Sequence, residues 1–295
     1  MLFTSKKPQY EYLRKKWVSR HRNVTQNLFD KHLENVALTG LGGLMLLSVP
    51  GINTHQSKHL SDASVKIDTG KDNSVLLVSQ LKRVVPQEVR ALNKAEEASL
   101  ATVLSKSFDL NILVEIDGKR LNRSYGLIGG EQHLYRYPGD ILYAHAKTAT
   151  DWAMYGDAGI APGLGAWGYF APSQTQFTPK DEERKRWYLA VQTFLSPGFS
   201  ERVAEDRDFY RYRKMLVVNP QTGQAVVGDI ADAGPSEFTG KHLGGSPEVM
   251  QGLGLAGGPR KGAVVLYFFI DDPEDKVPLG PIKVKENIEQ QLSVS

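Results

Sequence analysis

The chain has 295 residues, 41% of them hydrophobic, which suits one or two domains built around a core of ordinary size. It contains no cysteine, and this excludes disulfide scaffolds, thiolate metal sites and cysteine nucleophiles. The formal charge of +3 is too small to argue for nucleic acid, and its distribution says more than its sum.

Residues 1–52 carry eight basic side chains (Lys6, Lys7, Arg14, Lys15, Lys16, Arg20, Arg22, Lys31) and three acids (Glu11, Asp30, Glu34), a net of +5 that leaves −2 for the other 243 residues. The basic block runs into NVALTGLGGLMLLSVPGI, Asn35 to Ile52, which holds no charge. As a helix these 18 residues reach about 27 Å, close to the hydrocarbon thickness of a bilayer. A buried core helix is the competing reading. Gly40, Gly42, Gly43 and Pro50 weaken a helix in water, whereas such residues are commoner in membrane helices. Basic residues ahead of an apolar segment hold that end in the cytoplasm. Ser48 to Gly51 offers no small-x-small cleavage site. The expectation is a basic cytoplasmic tail over 1–34, an uncleaved single-pass anchor over 35–52, and the remainder extracytoplasmic at the cell membrane.

A polar linker is expected over Asn53 to Ser74, then a short apolar run, Val75 to Leu81. Val89, Leu92, Leu100, Val103 and Leu104 recur at helical spacing and predict a helix between Pro86 and Lys106. Asp117-Gly118 is a strong hairpin signal inside LNILVEIDGKRLNRSYGLIGG. Lys214 to Ala231 reads as strand, turn and strand, with Pro220 presetting the turn and Gly223 closing it. If the second strand is regular, Val226, Ile230 and Asp232 share one face and Val227, Asp229 and Ala231 the other. Ser246 and Pro247 open a short helix that stops at Leu253-Gly254. Gly262 to Ile270, GAVVLYFFI, lacks polar alternation, as expected of a strand buried on both faces.

The features Val217-Val218-Asn219…Gly223, Asp232-Ala233-Gly234-Pro235, Gly240-Lys241, Ser246…Leu253-Gly254 and Ala263 to Phe269 fall in the order seen in a known family. Over roughly these 60 residues the chain resembles the double-psi β-barrel of rare-lipoprotein-A-like proteins, related more distantly to expansins and barrel lytic transglycosylases. Gly163 to Phe170, GLGAWGYF, is a weak match to the family's opening strand. The resemblance implies a mainly β fold: a double-psi β-barrel with short helices over 109–271, preceded by the anchor and a linker-and-helix segment over 53–108, and followed by a tail over 272–295. It also implies peptidoglycan glycan strands as the partner, with no cofactor, metal or nucleic acid.

In catalytic members of that family the matching Asp belongs to the machinery that cuts glycan strands, which makes Asp232 the candidate general acid. A lytic transglycosylase protonates the glycosidic oxygen while the sugar's own 6-hydroxyl attacks the anomeric carbon, so a single acid with a raised pKa can serve. The chain departs from the pattern in two places. The family's additional early acid has no clear counterpart, though Glu131 could supply one, and Leu243-Gly244-Gly245-Ser246 stands where an Ile-Asp-Leu-Ser run is common. Trp167, Tyr169, Gly234 and Lys241 are the candidate substrate contacts. Each has a plainer role open to it: Asp232 as a turn-fixing acceptor, Glu248 as a helix cap, Asp229 as an ion-pair residue, His133 and His242 as hydrogen-bonded residues, and Trp167 and Tyr169 as core aromatics. Two functions follow, an enzyme that cleaves glycan strands or a non-catalytic module that tethers membrane to wall.

Overall fold

The computed structural model describes residues 73–146, 148–256 and 261–285. The basic tail, the expected anchor at 35–52 and most of the linker lie outside them. Among the described residues no helix is long and apolar enough to cross a membrane.

The chain begins with two helices, α1 (Asn73–Val84) and α2 (Lys94–Phe108). The helix expected from Pro86 starts instead at Lys94. The reason is local: Asn93 accepts from the Glu96 N–H at 2.9 Å, and the Glu96 carboxylate takes the Asn93 N–H at 2.8 Å. That reciprocal cap satisfies two orphan donors at once, which a proline cannot do.

Strands β1 (Ile112–Leu113), β2 (Glu115–Ile116) and β3 (Lys119–Arg120) follow. β2 and β3 form the small hairpin signalled by Asp117-Gly118, whose φ values of 52° and 71° are those of a tight hairpin turn. β4 (Tyr125–Gly130) opens the barrel, and α3 (Ala149–Tyr155), α4 (Pro179–Arg186), β5 (Tyr188–Val191) and α5 (Val203–Tyr210) come next. The remaining elements are β6 (Lys214–Val218), β7 (Ala225–Ala233), β8 (Leu243–Gly245), α6 (Pro247–Gly252), β9 (Lys261–Ile270) and β10 (Gly280–Ile282).

Six strands close on themselves in the order β9-β4-β8-β5-β7-β6 and back to β9. Two neighbouring pairs are parallel, β4 with β8 and β5 with β7; the other four are antiparallel. β1 adds to β9 and β10 to β7. This mixed, closed arrangement is compatible with a double-psi barrel, and closure removes the free edges that an open sheet would expose.

Gly163 to Phe170 is not a strand. The chain turns tightly there, with the Gly168 N–H bonded to the Gly165 carbonyl at 3.0 Å, and β4 and β5 occupy the barrel instead.

Alternation along the strands makes two cores. Inward side chains such as Met215, Val217, Val226, Ile230, Val265, Tyr267 and Phe269 fill the barrel. Outward ones, Leu216, Val218, Val227, Leu266, Phe268 and Ile270, pack under Leu77, Leu81, Leu100, Leu104 and Phe108 of α1 and α2. A strand buried on both faces needs no polar alternation, which accounts for GAVVLYFFI.

Close packing also dictates small residues at strand crossings. A Cβ on Gly228 would meet the Trp187 carbonyl oxygen at 2.7 Å and Leu189 Cγ at 2.9 Å, where β7 passes β5. Because backbone cannot yield as a side-chain tip can, Gly228→Ala should cost about 1–3 kcal/mol, read as a lower urea midpoint. An unchanged midpoint would show the crossing to be looser than it is drawn.

Candidate functional site

β7 and β4 deliver Asp232 and Glu131 to the same end of the barrel. Between them lie β8 and β5, with Gly244 opposite both Gly129 and Ala190, and Ala190 opposite Asp232. A Cβ on Gly244 would meet the Glu131 side chain at 2.5 Å, so Glu131 lies over that glycine. At about 4.8 Å per strand, its resting place is roughly two strand spacings from Asp232.

The register of β5 against β7 shifts so that Leu189 faces Ile230 while the next residue, Ala190, faces Asp232. Ala231 is the extra residue. The regular alternation expected from Val226 therefore breaks before Asp232, and an irregularity of this kind re-aims the side chain that follows it.

Asp232 Oδ1 accepts two backbone N–H groups, from Ala166 at 2.7 Å and from Ala233 at 2.8 Å. Burial raises its pKa above the ordinary aspartate value, against the pull of the two donors toward the ionised form. Glu131 is also raised by burial. The Lys241 ammonium opposes that rise and the Asp232 charge adds to it. Lys241 Nζ donates to Glu131 Oε1 and to the Gly130 carbonyl, both at 2.9 Å. Beside both acids is the buried Tyr188, whose hydroxyl donates to the Gln132 carbonyl. Its pKa stands well above the usual range because of burial first, then the charges of Glu131, Asp232 and Glu248.

The other sequence candidates disperse. Gly234 is buried and continues the pairing beyond β7, its N–H donating to the Val191 carbonyl at 3.0 Å. Trp167 and Tyr169 share no strand face. The Trp167 indole packs on the barrel core and donates to the Arg207 carbonyl at 3.2 Å, and Tyr169 meets Tyr135 edge-on. His242 Nδ1 accepts the Leu127 N–H at 2.9 Å, and His133 is buried with its ring centroid 4.8 Å from that of His145.

Glu248 is more than a cap: it is buried and faces Lys185 Nζ at 3.3 Å. Burial pushes Lys185 down and Glu248 up, each opposed by the partner's charge. Sequence reasoning missed Lys185 because it sits in a run of surface-like charges, PKDEERKR. It also missed the buried trio in which Asp140 binds the Arg136 guanidinium at 2.6 Å and His145 Nε2 at 2.8 Å. Among the described residues no cluster of His, Asp or Glu could hold a metal ion.

What emerges is a closed mixed β-barrel carrying two partly buried carboxyl groups at one end. No protein-family model, curated protein or solved structure matches the chain.

Asp229 is the acid with the largest departure. It is buried beside Arg184, Nε to Oδ2 3.4 Å, and its Oδ1 has no hydrogen-bond partner. Burial raises its pKa from 3.8 to about 7, with Arg184 and Lys214 opposing. Between those two values the folded protein holds a proton that the unfolded chain has lost. The resulting stabilisation is complete below 3.8 and disappears as pH rises through about 7. Asp229→Asn should therefore flatten the fall in stability over that interval, measured by urea unfolding at stepped pH. A wild-type profile that does not decline toward pH 7 would contradict the assignment.

Proposed function

We propose that the chain is a membrane-anchored, extracytoplasmic barrel of the rare-lipoprotein-A-like kind that cleaves peptidoglycan glycan strands, with Asp232 as the proton donor. The observation that supports this reading is the acid pair: Asp232, near the end of a barrel strand, has a pKa raised by burial, and Glu131 lies across Gly244 and Ala190 from it. Burial raises both carboxyl groups, and the Asp232 charge adds to the rise at Glu131, which is opposed by Lys241. Neutral Asp232 gives its proton to the glycosidic oxygen as the bond to the anomeric carbon breaks. The sugar's 6-hydroxyl then bonds to that carbon and releases its proton to the Glu131 carboxylate, so no water is consumed.

A second reading, a glycan-binding module without chemistry, is favoured by a different observation. One oxygen of each acid is already engaged, Asp232 by two backbone donors and Glu131 by Lys241. Incubation with peptidoglycan and mass spectrometry of the products separates the two. The enzyme reading expects anhydro-muropeptides, and Asp232→Asn should lower their release by roughly 10² to 10⁴ with little change in glycan retention or melting temperature. A stable protein that retains glycan and releases no anhydro-sugars between about pH 4 and pH 8 would assign it to binding alone.

The anchor is part of the same proposal and rests on Asn35 to Ile52. The full-length protein should sediment with membranes and resist carbonate extraction, and the barrel should be cut by protease added outside. Recovery in the soluble cytoplasmic fraction would remove the anchor.

A further inference from the structure

Away from both acids, a cleft of about 330 Å³ opens beside α5 and the start of β6, near the lower end of the size range for small-molecule sites. Arg184, Arg211 and Arg213 line it, with the half-buried Tyr212 and Phe209 rings as its apolar surface. The guanidiniums are arranged on aromatic rings: Arg184 lies 4.2 Å and Arg211 5.2 Å from the Tyr212 centroid, and Arg213 lies 4.4 Å from that of Phe209. A guanidinium over an aromatic ring is attracted to its face and keeps N–H donors for an anion.

Those edges have little to bond within the protein. Arg213 Nε donates to the Phe209 carbonyl at 3.3 Å, the Arg211 side chain makes no hydrogen bond, and Arg184 Nε is buried 3.4 Å from the Asp229 carboxylate. The acids nearby are largely engaged elsewhere. Lys214 Nζ holds Asp272 at 2.8 Å and Asp275 at 2.6 Å, and Asp275 also pairs with Lys180. Asp208 is the acid on the lining without such a partner. Arg211 and Arg213, on a partly apolar floor, are guanidiniums without a carboxylate partner, and Arg184, which already faces Asp229, adds positive charge beside them.

We propose that this cleft binds an anionic small molecule, or the acidic group of a larger one, through a carboxylate or a phosphate-like oxyanion gripped by Arg211 and Arg213, with the Arg184 charge behind them. Guanidinium forks match both anions bidentately, and the half-buried Phe209 and Tyr212 rings offer a surface to the apolar part of the ligand. The site is independent of the glycan reading, since neither Asp232 nor Glu131 lines it.

Calorimetric titration of the full-length protein in detergent micelles, at low ionic strength, tests this with two probes, sulfate and glutarate. Saturable binding is expected for at least one of them. Sulfate alone would point to a phosphate-like group, and glutarate alone to a carboxylate. Arg211 is exposed and its side chain makes no hydrogen bond, so Arg211→Ala should fold normally by circular dichroism. It should bind about five- to tenfold more weakly, and Arg211→Glu should abolish binding. Arg83→Ala, an exposed cation on α1, should change nothing. The proposal fails if neither probe saturates in the millimolar range, or if Arg211→Glu binds as the wild type does.

Discussion

Everything in this molecule depends on β9 being enclosed on all four sides. Its two edges are hydrogen-bonded to β4 and β6, and its two faces are buried, one in the barrel and one beneath α1 and α2. Each large side chain so buried contributes about 1.5–3 kcal/mol, and β9 supplies Val265, Tyr267 and Phe269 inside and Leu266, Phe268 and Ile270 outside. The helices are therefore not appendages. Without them the outer face of β6, β7 and β9 would be an apolar sheet surface in water, the kind that promotes association.

Closure also brings the acids together. Glu131 and Asp232 are far apart in the chain, and they share one end of the barrel because β8 and β5 align Gly129, Gly244, Ala190 and Asp232 in a single row. The small residues of that row let Glu131 lie over it. Partial burial then weakens both carboxylates, and Lys241 limits the effect at Glu131. The same physics operates more strongly at Asp229, where the surroundings supply only the Arg184 ion contact and no hydrogen bond to Oδ1. Its raised pKa reflects burial beside the arginine cleft, away from the acid pair.

Legibility in the sequence followed the reach of the cause. The Asp117-Gly118 turn, the Asn219 to Gly223 turn with its N–H to carbonyl bond of 2.8 Å, the Ser246 cap and the apolar run of β9 are set by neighbouring residues, and all could be read. β5 could not, because four apolar residues following Arg184-Lys185-Arg186 look like the end of a charged helix. GLGAWGYF imitates strand alternation with Trp167 and Tyr169, yet its glycines close a turn pinned by Arg207, whose guanidinium donates to the Ala166 carbonyl at 2.7 Å. Asp232 was identifiable from its Asp-x-Gly-Pro context, but its direction was not, since the extra residue at Ala231 is visible only once β5 is in place. The arginine cleft was hidden for a similar reason: Arg184 comes from a helix far from Arg211 and Arg213, and only the fold makes them neighbours.

The pairing of β4 with β9, in which Tyr125 meets Leu266, ties the start of the barrel to nearly its end. No early fragment can close the ring, so a growing chain carries β6 and β7 with one edge and one apolar face unprotected until the last barrel strand arrives. Long-range strand pairing of this sort folds slowly, because the entropy of closing the loop must be lost before the contacts compensate for it. The barrel thus has its greatest exposure to misassembly at the moment before completion, and α1 and α2, made first, are already present to shield part of the unfinished sheet.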